Sequence, residues 1–129
     1  MTRLIERWFP CKEVSENSTA GWGSGNTERA LFTWFAARPT AQAKAAVICS
    51  MLPWPEEEAE QKRVQDLVKR AMTDRYAAWD ELRNEILAAN PEGVRTLDPF
   101  SGRGMIPLEA ARLGLESHAV EYAPVAVLA

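Results

Sequence analysis

What most narrows the folds open to this chain is a change of apolar period just after Asn90-Pro91. Upstream, apolar residues recur three and four apart, the helical spacing; downstream they fall into two short runs, Val94-Arg95-Thr96-Leu97 and Ser117-His118-Ala119-Val120-Glu121, which read as strands. Between the runs lie the loop Asp98-Pro99-Phe100-Ser101-Gly102-Arg103-Gly104 and a helical segment that opens at Ile106-Pro107-Leu108 and closes at Leu113-Gly114. Proline in the first turn and glycine just past the last turn are helix punctuation. A further helix starts at Ala123-Pro124-Val125. Strand, glycine loop, helix and strand form a βαβ unit, the repeating piece of a parallel α/β sheet.

The preceding residues read as helical. Pro10 breaks any helix begun between Arg3 and Phe9, and Ser15 to Thr27, with Gly21-Trp22-Gly23-Ser24-Gly25-Asn26 at its centre, has the composition of a flexible loop. Pro39-Thr40 opens a helix to about Leu52, where Pro53 and Pro55 end it. Glu56-Glu57-Glu58 then places carboxylates at the start of the next helical stretch, where the helix dipole favours them. Val64, Leu67, Val68 and Ala71 keep its apolar face, and Tyr76, Trp79, Leu82, Ile86 and Leu87 continue it to Asn90. One long helix fits this run, and so does a pair of helices divided at Thr73-Asp74. Trp34 and Trp79 are expected in the core. The organisation expected is an N-terminal segment over 1–53, a helical hairpin or long helix over 54–91, and an α/β unit over 92–129.

Charge limits the partners. Fifteen basic against eighteen acidic residues leave −3, so no global positive field draws the chain to nucleic acid. Residues 1–55 hold six basic and four acidic side chains, residues 56–129 nine and fourteen, which makes the N-terminal part the better candidate for meeting a polyanion. No apolar stretch approaches the ~20 residues of a membrane span, and the start lacks a secretory apolar core, so a cytoplasmic location and no membrane partner are expected. Cys11 and Cys49 lack CxxC partners, which indicates neither a metal site nor a disulfide framework.

The chemistry concentrates in the glycine loop. Gly102 and Gly104 let a ligand approach the backbone. The third glycine of a dinucleotide fingerprint is absent, and Asp98 at the end of the first strand would repel phosphate. A ligand with an ammonium group there fits better. Glu121, at the end of the second strand, is placed to accept hydrogen bonds from both hydroxyls of a ribose. An aminoacyl-type cation joined to an adenosine satisfies both acids. Asp98 also fits a simple turn before Pro99, and Glu121 a solvent-facing strand end. Phe100 fits both a lid over the ligand and a plug in the core, Arg38 both a surface or capping residue and a phosphate contact, and His118 a packing or edge position.

At these residues the chain resembles a known family. Asp98-Pro99-Phe100-Ser101-Gly102-Arg103-Gly104 is similar to the D-P-F-x-G-x-G motif of S-adenosylmethionine-dependent DNA amino-methyltransferases. Ile106 to Gly114 and Pro124 to Leu128 resemble, more narrowly, zinc-ribbon-containing DNA adenine methylases with an N-terminal domain of unknown function. Ile5-Glu6, Phe9-Pro10 and Lys12-Glu13-Val14-Ser15 resemble the start of that family, and Trp34-Phe35-Ala36-Ala37-Arg38-Pro39 its W-W-A-R-R-P motif. Ala37 stands where the family has its first arginine, and Ser18 to Asn26 replaces a basic run.

The resemblance implies the start of a Rossmann-like methyltransferase sheet, its first two strands, behind an α-helical extension. It implies S-adenosylmethionine as cofactor, with Asp98, Pro99, Phe100, Gly102, Gly104 and Glu121 as the cofactor-binding residues. It implies adenine in DNA as substrate, reached through a longer parent protein; the alternative, from a different class, is a non-catalytic assembly module that uses the helices of 40–90 to join a chain supplying the rest of the methyltransferase. The D/N-P-P-Y/F/W tetrapeptide that holds the flipped base in such enzymes is missing, since no Pro-Pro pair occurs. No catalytic residue is therefore assigned, and the chain is expected to be an N-terminal portion inactive by itself.

Overall fold

The computed structural model describes residues 1–18, 39–73 and 77–128. The chain is mixed α/β: a short 3₁₀ turn at Leu4–Glu6 and helices α1 (Cys11–Ser18), α2 (Thr40–Met51), α3 (Glu58–Thr73) and α4 (Ala77–Ala89) precede β1 (Arg95–Asp98), α5 (Met105–Arg112), β2 (Glu116–Ala119) and α6 (Pro124–Leu128). The strands pair in parallel, with Arg95 opposite Glu116, Leu97 opposite His118 and Asp98 opposite Ala119.

The helical half folds as its period demands. Val64, Leu67, Val68 and Ala71 of α3 and Leu82 and Ile86 of α4 are buried with Ile48 of α2 and Leu4, in one continuous core. The stretch over 58–89 is a pair of helices rather than a single one. Arg63 meets Glu85 at 2.8 Å and Arg70 meets Glu81 at 3.4 Å, so the later residue of α3 faces the earlier residue of α4 and the two run antiparallel. A straight helix would hold these partners about 33 Å and 16 Å apart at 1.5 Å per residue. The N-terminus is stitched to the α2–α3 connection, where Leu4 N–H donates to Leu52 O at 2.8 Å and Trp54 N–H to Thr2 O at 2.9 Å. Arg3 places its guanidinium on Met51 O at 2.9 Å, at the carbonyl end of α2 where a cation is favoured.

Three expectations are corrected. Ser15 to Ser18 belong to α1 rather than to a loop, because Pro10, which ends the preceding turn, leaves its own carbonyl to accept Val14 N–H at 2.9 Å and so starts a helix. The rest of the expected glycine-serine loop, and the Trp34 to Arg38 motif, lie outside the described residues. β2 ends at Ala119, not at Glu121, so Glu121 sits in the turn before α6. Trp79 is half-buried rather than a core plug, with Lys44 at 4.9 Å and Arg112 at 5.8 Å from its ring centre.

The βαβ unit leans on the bundle through α5, whose Ala110 joins the common core along with Leu113 and Leu115 just beyond the helix. Thr40, first residue of α2, donates its hydroxyl to Met105 Sδ at 3.7 Å, which sets the start of α2 beside the start of α5. Pro107 costs α5 nothing, since an amide in the first turn has no intrahelical partner. Ser117 Oγ reaches back to Pro107 O at 3.0 Å, so Ser117 and its register partner Thr96 face α5. By alternation Leu97 and Val120 face away, and they are 65% and 56% exposed.

Candidate functional site

Asp98 closes β1, and the chain then turns through Pro99-Phe100-Ser101 to the two glycines. The Asp98 carboxylate accepts Phe100 N–H at 3.1 Å, so the turn-forming role is realised, and its other oxygen remains for a ligand. Gly102 and Gly104 lie at φ +53° and +79°, in the left-handed region where a side chain is strained. Gly104 is the N-cap of α5, and its carbonyl accepts Leu108 N–H at 2.9 Å. A Cβ built on Gly104 would meet nothing within 4 Å, so the space above this helix start is open.

Glu121 comes to the same place from the other strand. Its Oε2 accepts Gly102 N–H at 2.6 Å and its Oε1 accepts Ala123 N–H at 2.8 Å. These amides, Ala123 first, then Gly102 and more weakly Tyr122, hold the carboxyl below its ordinary range. The backbone closes the arrangement: Val120 N–H donates to Asp98 O at 2.9 Å and Ser101 N–H to Val120 O at 3.0 Å. Asp98, Gly102, Gly104 and Glu121 are thereby gathered at the carboxyl ends of two adjacent parallel strands, where open α/β sheets take their ligands.

Phe100 is 88% exposed, so its core-plug role is excluded, and Pro99 beside it is exposed as well. His118 lies on the open strand face and pairs with Glu116 at 2.7 Å. Two residues escaped the sequence reading. Tyr122, next to Glu121, is 100% exposed and adds a second bare aromatic ring after a strand end; an aromatic following the strand-end acid was the available signal. Glu109 of α5 is fully buried, with Oε1 on Arg112 at 3.0 Å and Oε2 without a hydrogen-bond partner among the described residues. Helical spacing placed Glu109 on α5, but which face α2 would cover was not written locally.

The donor set suits one type of ligand. Two carboxylates flank a glycine loop with open space above it, each with lone pairs to spare, which favours a cation and hydroxyl donors and disfavours phosphate. A groove of about 580 Å³ between α1 and the start of α2, lined by Phe9, Val14, Pro39 and Gln42 among others, contains none of these residues. Among the described residues, no three His, Cys, Asp or Glu side chains gather as a metal site would, and no helix is long and apolar enough to cross a membrane. No protein-family model matches the chain, and no curated protein or solved structure matches it either.

Proposed function

We propose that this chain is the S-adenosylmethionine-binding portion of a DNA adenine methyltransferase built on a Rossmann-like sheet. The observation that carries the reading is the convergence of Asp98 and Glu121 on a glycine loop between two parallel strands. In this reading Asp98 takes the ammonium of the methionine part and Glu121 the ribose hydroxyls. Phe100 and Tyr122 supply apolar faces, and the bare backbone at Gly104 admits the ligand. The cofactor, when bound, supplies a methyl group activated on a sulfonium. The acids bind and orient it, and none of the described side chains is assigned to the target base.

The test is titration with S-adenosylmethionine, followed through the backbone amide signals of residues 98–104 and 121–123. Only the methionine and ribose ends of the ligand are addressed by these residues, so about millimolar affinity is expected once binding entropy is offset. Asp98→Ala is expected to abolish the response. Micromolar binding that survives both Asp98→Ala and Glu121→Ala would overturn the assignment. Because the base-holding tetrapeptide is missing, no radiolabelled methyl group is expected to reach DNA from this chain alone.

The uncovered strand face favours a second reading, an assembly module completed by another chain. Leu97 of β1 and Val120 just past β2 stand bare at the two parallel strands of the described residues, and parallel sheets are ordinarily covered on both faces. Gel filtration with a chain that supplies further strands distinguishes this case, since a defined heteromer supports it.

A further inference from the structure

We infer that Glu121 is the latch of the glycine loop: its carboxylate, by holding the Gly102 amide, fixes the loop in its ligand-ready shape before any ligand arrives. The loop from Pro99 to Gly104 is tied to the β2 side at two points, Ser101 N–H on Val120 O and Gly102 N–H on Glu121 Oε2. The first is main chain to main chain and survives any substitution at 121. The second is a charge-assisted bond of 2.6 Å to an amide of a residue in the left-handed region. Gly102 has the loosest backbone of any residue type, so an anchor at that residue removes the most freedom from the loop.

The other carboxylate oxygen holds Ala123 N–H, at the entry to α6. One side chain therefore pins two segments that flank the ligand position, the glycine loop and the turn after β2. Each oxygen retains a lone pair, so a vicinal diol can join the latch without opening it. Glu121 is thus a positioning residue for Gly102 in addition to its contact with the ligand. Only the latch's consequence for cofactor affinity rests on the function proposed above.

Glu121→Asp separates the two halves of the latch. An aspartate keeps the charge and can still accept the amide two residues on, as Asp98 does from Phe100, but its shorter stem draws the carboxylate back from Gly102. Amide hydrogen exchange in the ligand-free protein reads the result. In the wild type, Gly102 and Ala123 are expected to be protected. In Glu121→Asp, Gly102 is expected to exchange roughly tenfold faster or more, the scale of one charge-assisted hydrogen bond, while Ala123 and the α5 amide of Leu108 keep their rates. Glu121→Gln presents an amide N–H₂ to one of the two donors and is expected to release one of them. Free-peptide exchange at Gly102 in the wild type overturns the latch, and so does a Gly102 rate unchanged in Glu121→Asp. If Glu121→Gln unfolds, Leu67 in the core exchanges as well, and the wild type and Glu121→Asp still decide. A latch confirmed without S-adenosylmethionine binding would leave the inference standing and refute the cofactor.

Discussion

The two halves of this molecule handle apolar surface in opposite ways. In the helical half Leu4, Ile48, Leu52, Leu67, Leu82 and Ile86 are all within 2% of full burial. In the βαβ half the large apolar side chains at the strands and the loops after them, Leu97, Phe100, Val120 and Tyr122, are more exposed than buried, and the buried set is small: Ala110, Leu113, Leu115 and Ala126 with Glu109. Helices can satisfy their backbones alone and need only one covered stripe, whereas the two short parallel strands among the described residues leave a face open. The bundle therefore holds most of the buried core, and the βαβ unit, held to it through α5, holds the candidate site.

The largest effect expected from this contrast comes from a pair of truncations. Leu67→Ala should cost about 2–5 kcal/mol, because it opens a cavity where no solvent reaches. Leu97→Ala should stay within about 0.5 kcal/mol, as at exposed surface positions. Chemical denaturation of both variants checks it, and equal costs would break the division between the halves.

A second comparison sits at the joint between them. Gly93 and Gly114 both adopt φ near +80°, but a Cβ on Gly93 meets nothing within 4 Å, while one on Gly114 lies 3.0 Å from Arg83 Nε. Gly93→Ala should cost about 1 kcal/mol from backbone strain alone. Gly114→Ala should cost more, by as much as moving the Arg83 side chain of α4 off the turn after α5 requires. Thermal midpoints of the two variants give the difference directly.

Cysteine reactivity sharpens the picture within the bundle. Burial pushes the Cys49 thiol up to about 12, whereas Cys11 is exposed at the start of α1. A thiol reagent at neutral pH is expected to titrate one group in the native protein and two after denaturation. Two fast native thiols would show that α2 opens readily.

The smallest effect is electrostatic and belongs to the site. The folded state holds Glu121 below its ordinary pKa of 4.5, so its ionised form favours folding. That contribution is complete above the unfolded value and fades as pH falls through the lowered folded one. Unfolding midpoints measured across that acid range should drop more for the wild type than for Glu121→Gln. Parallel pH curves would remove the backbone amides as the cause.

Most of the order of elements was legible because its signals are local. Pro39 and Pro53 bracket α2, Gly114 ends α5, and Asp98-Pro99 closes β1; each acts on its own backbone within a turn, so sequence alone places it. Asp98, Gly102 and Gly104 were legible for the same reason, as parts of one short loop. The sequence placed Glu121 as the last residue of a strand, and could not say that β2 stops at Ala119 and leaves this carboxylate free to turn onto two amides. Nor could it decide between one long helix and two antiparallel ones over 58–89, or say that Glu109 faces inward, or that Phe100 and Tyr122 stay bare. Those outcomes depend on which surfaces meet across tens of residues, α2 against α5 and α3 against α4, and burial is decided by the partner that arrives rather than by the residue that waits for it.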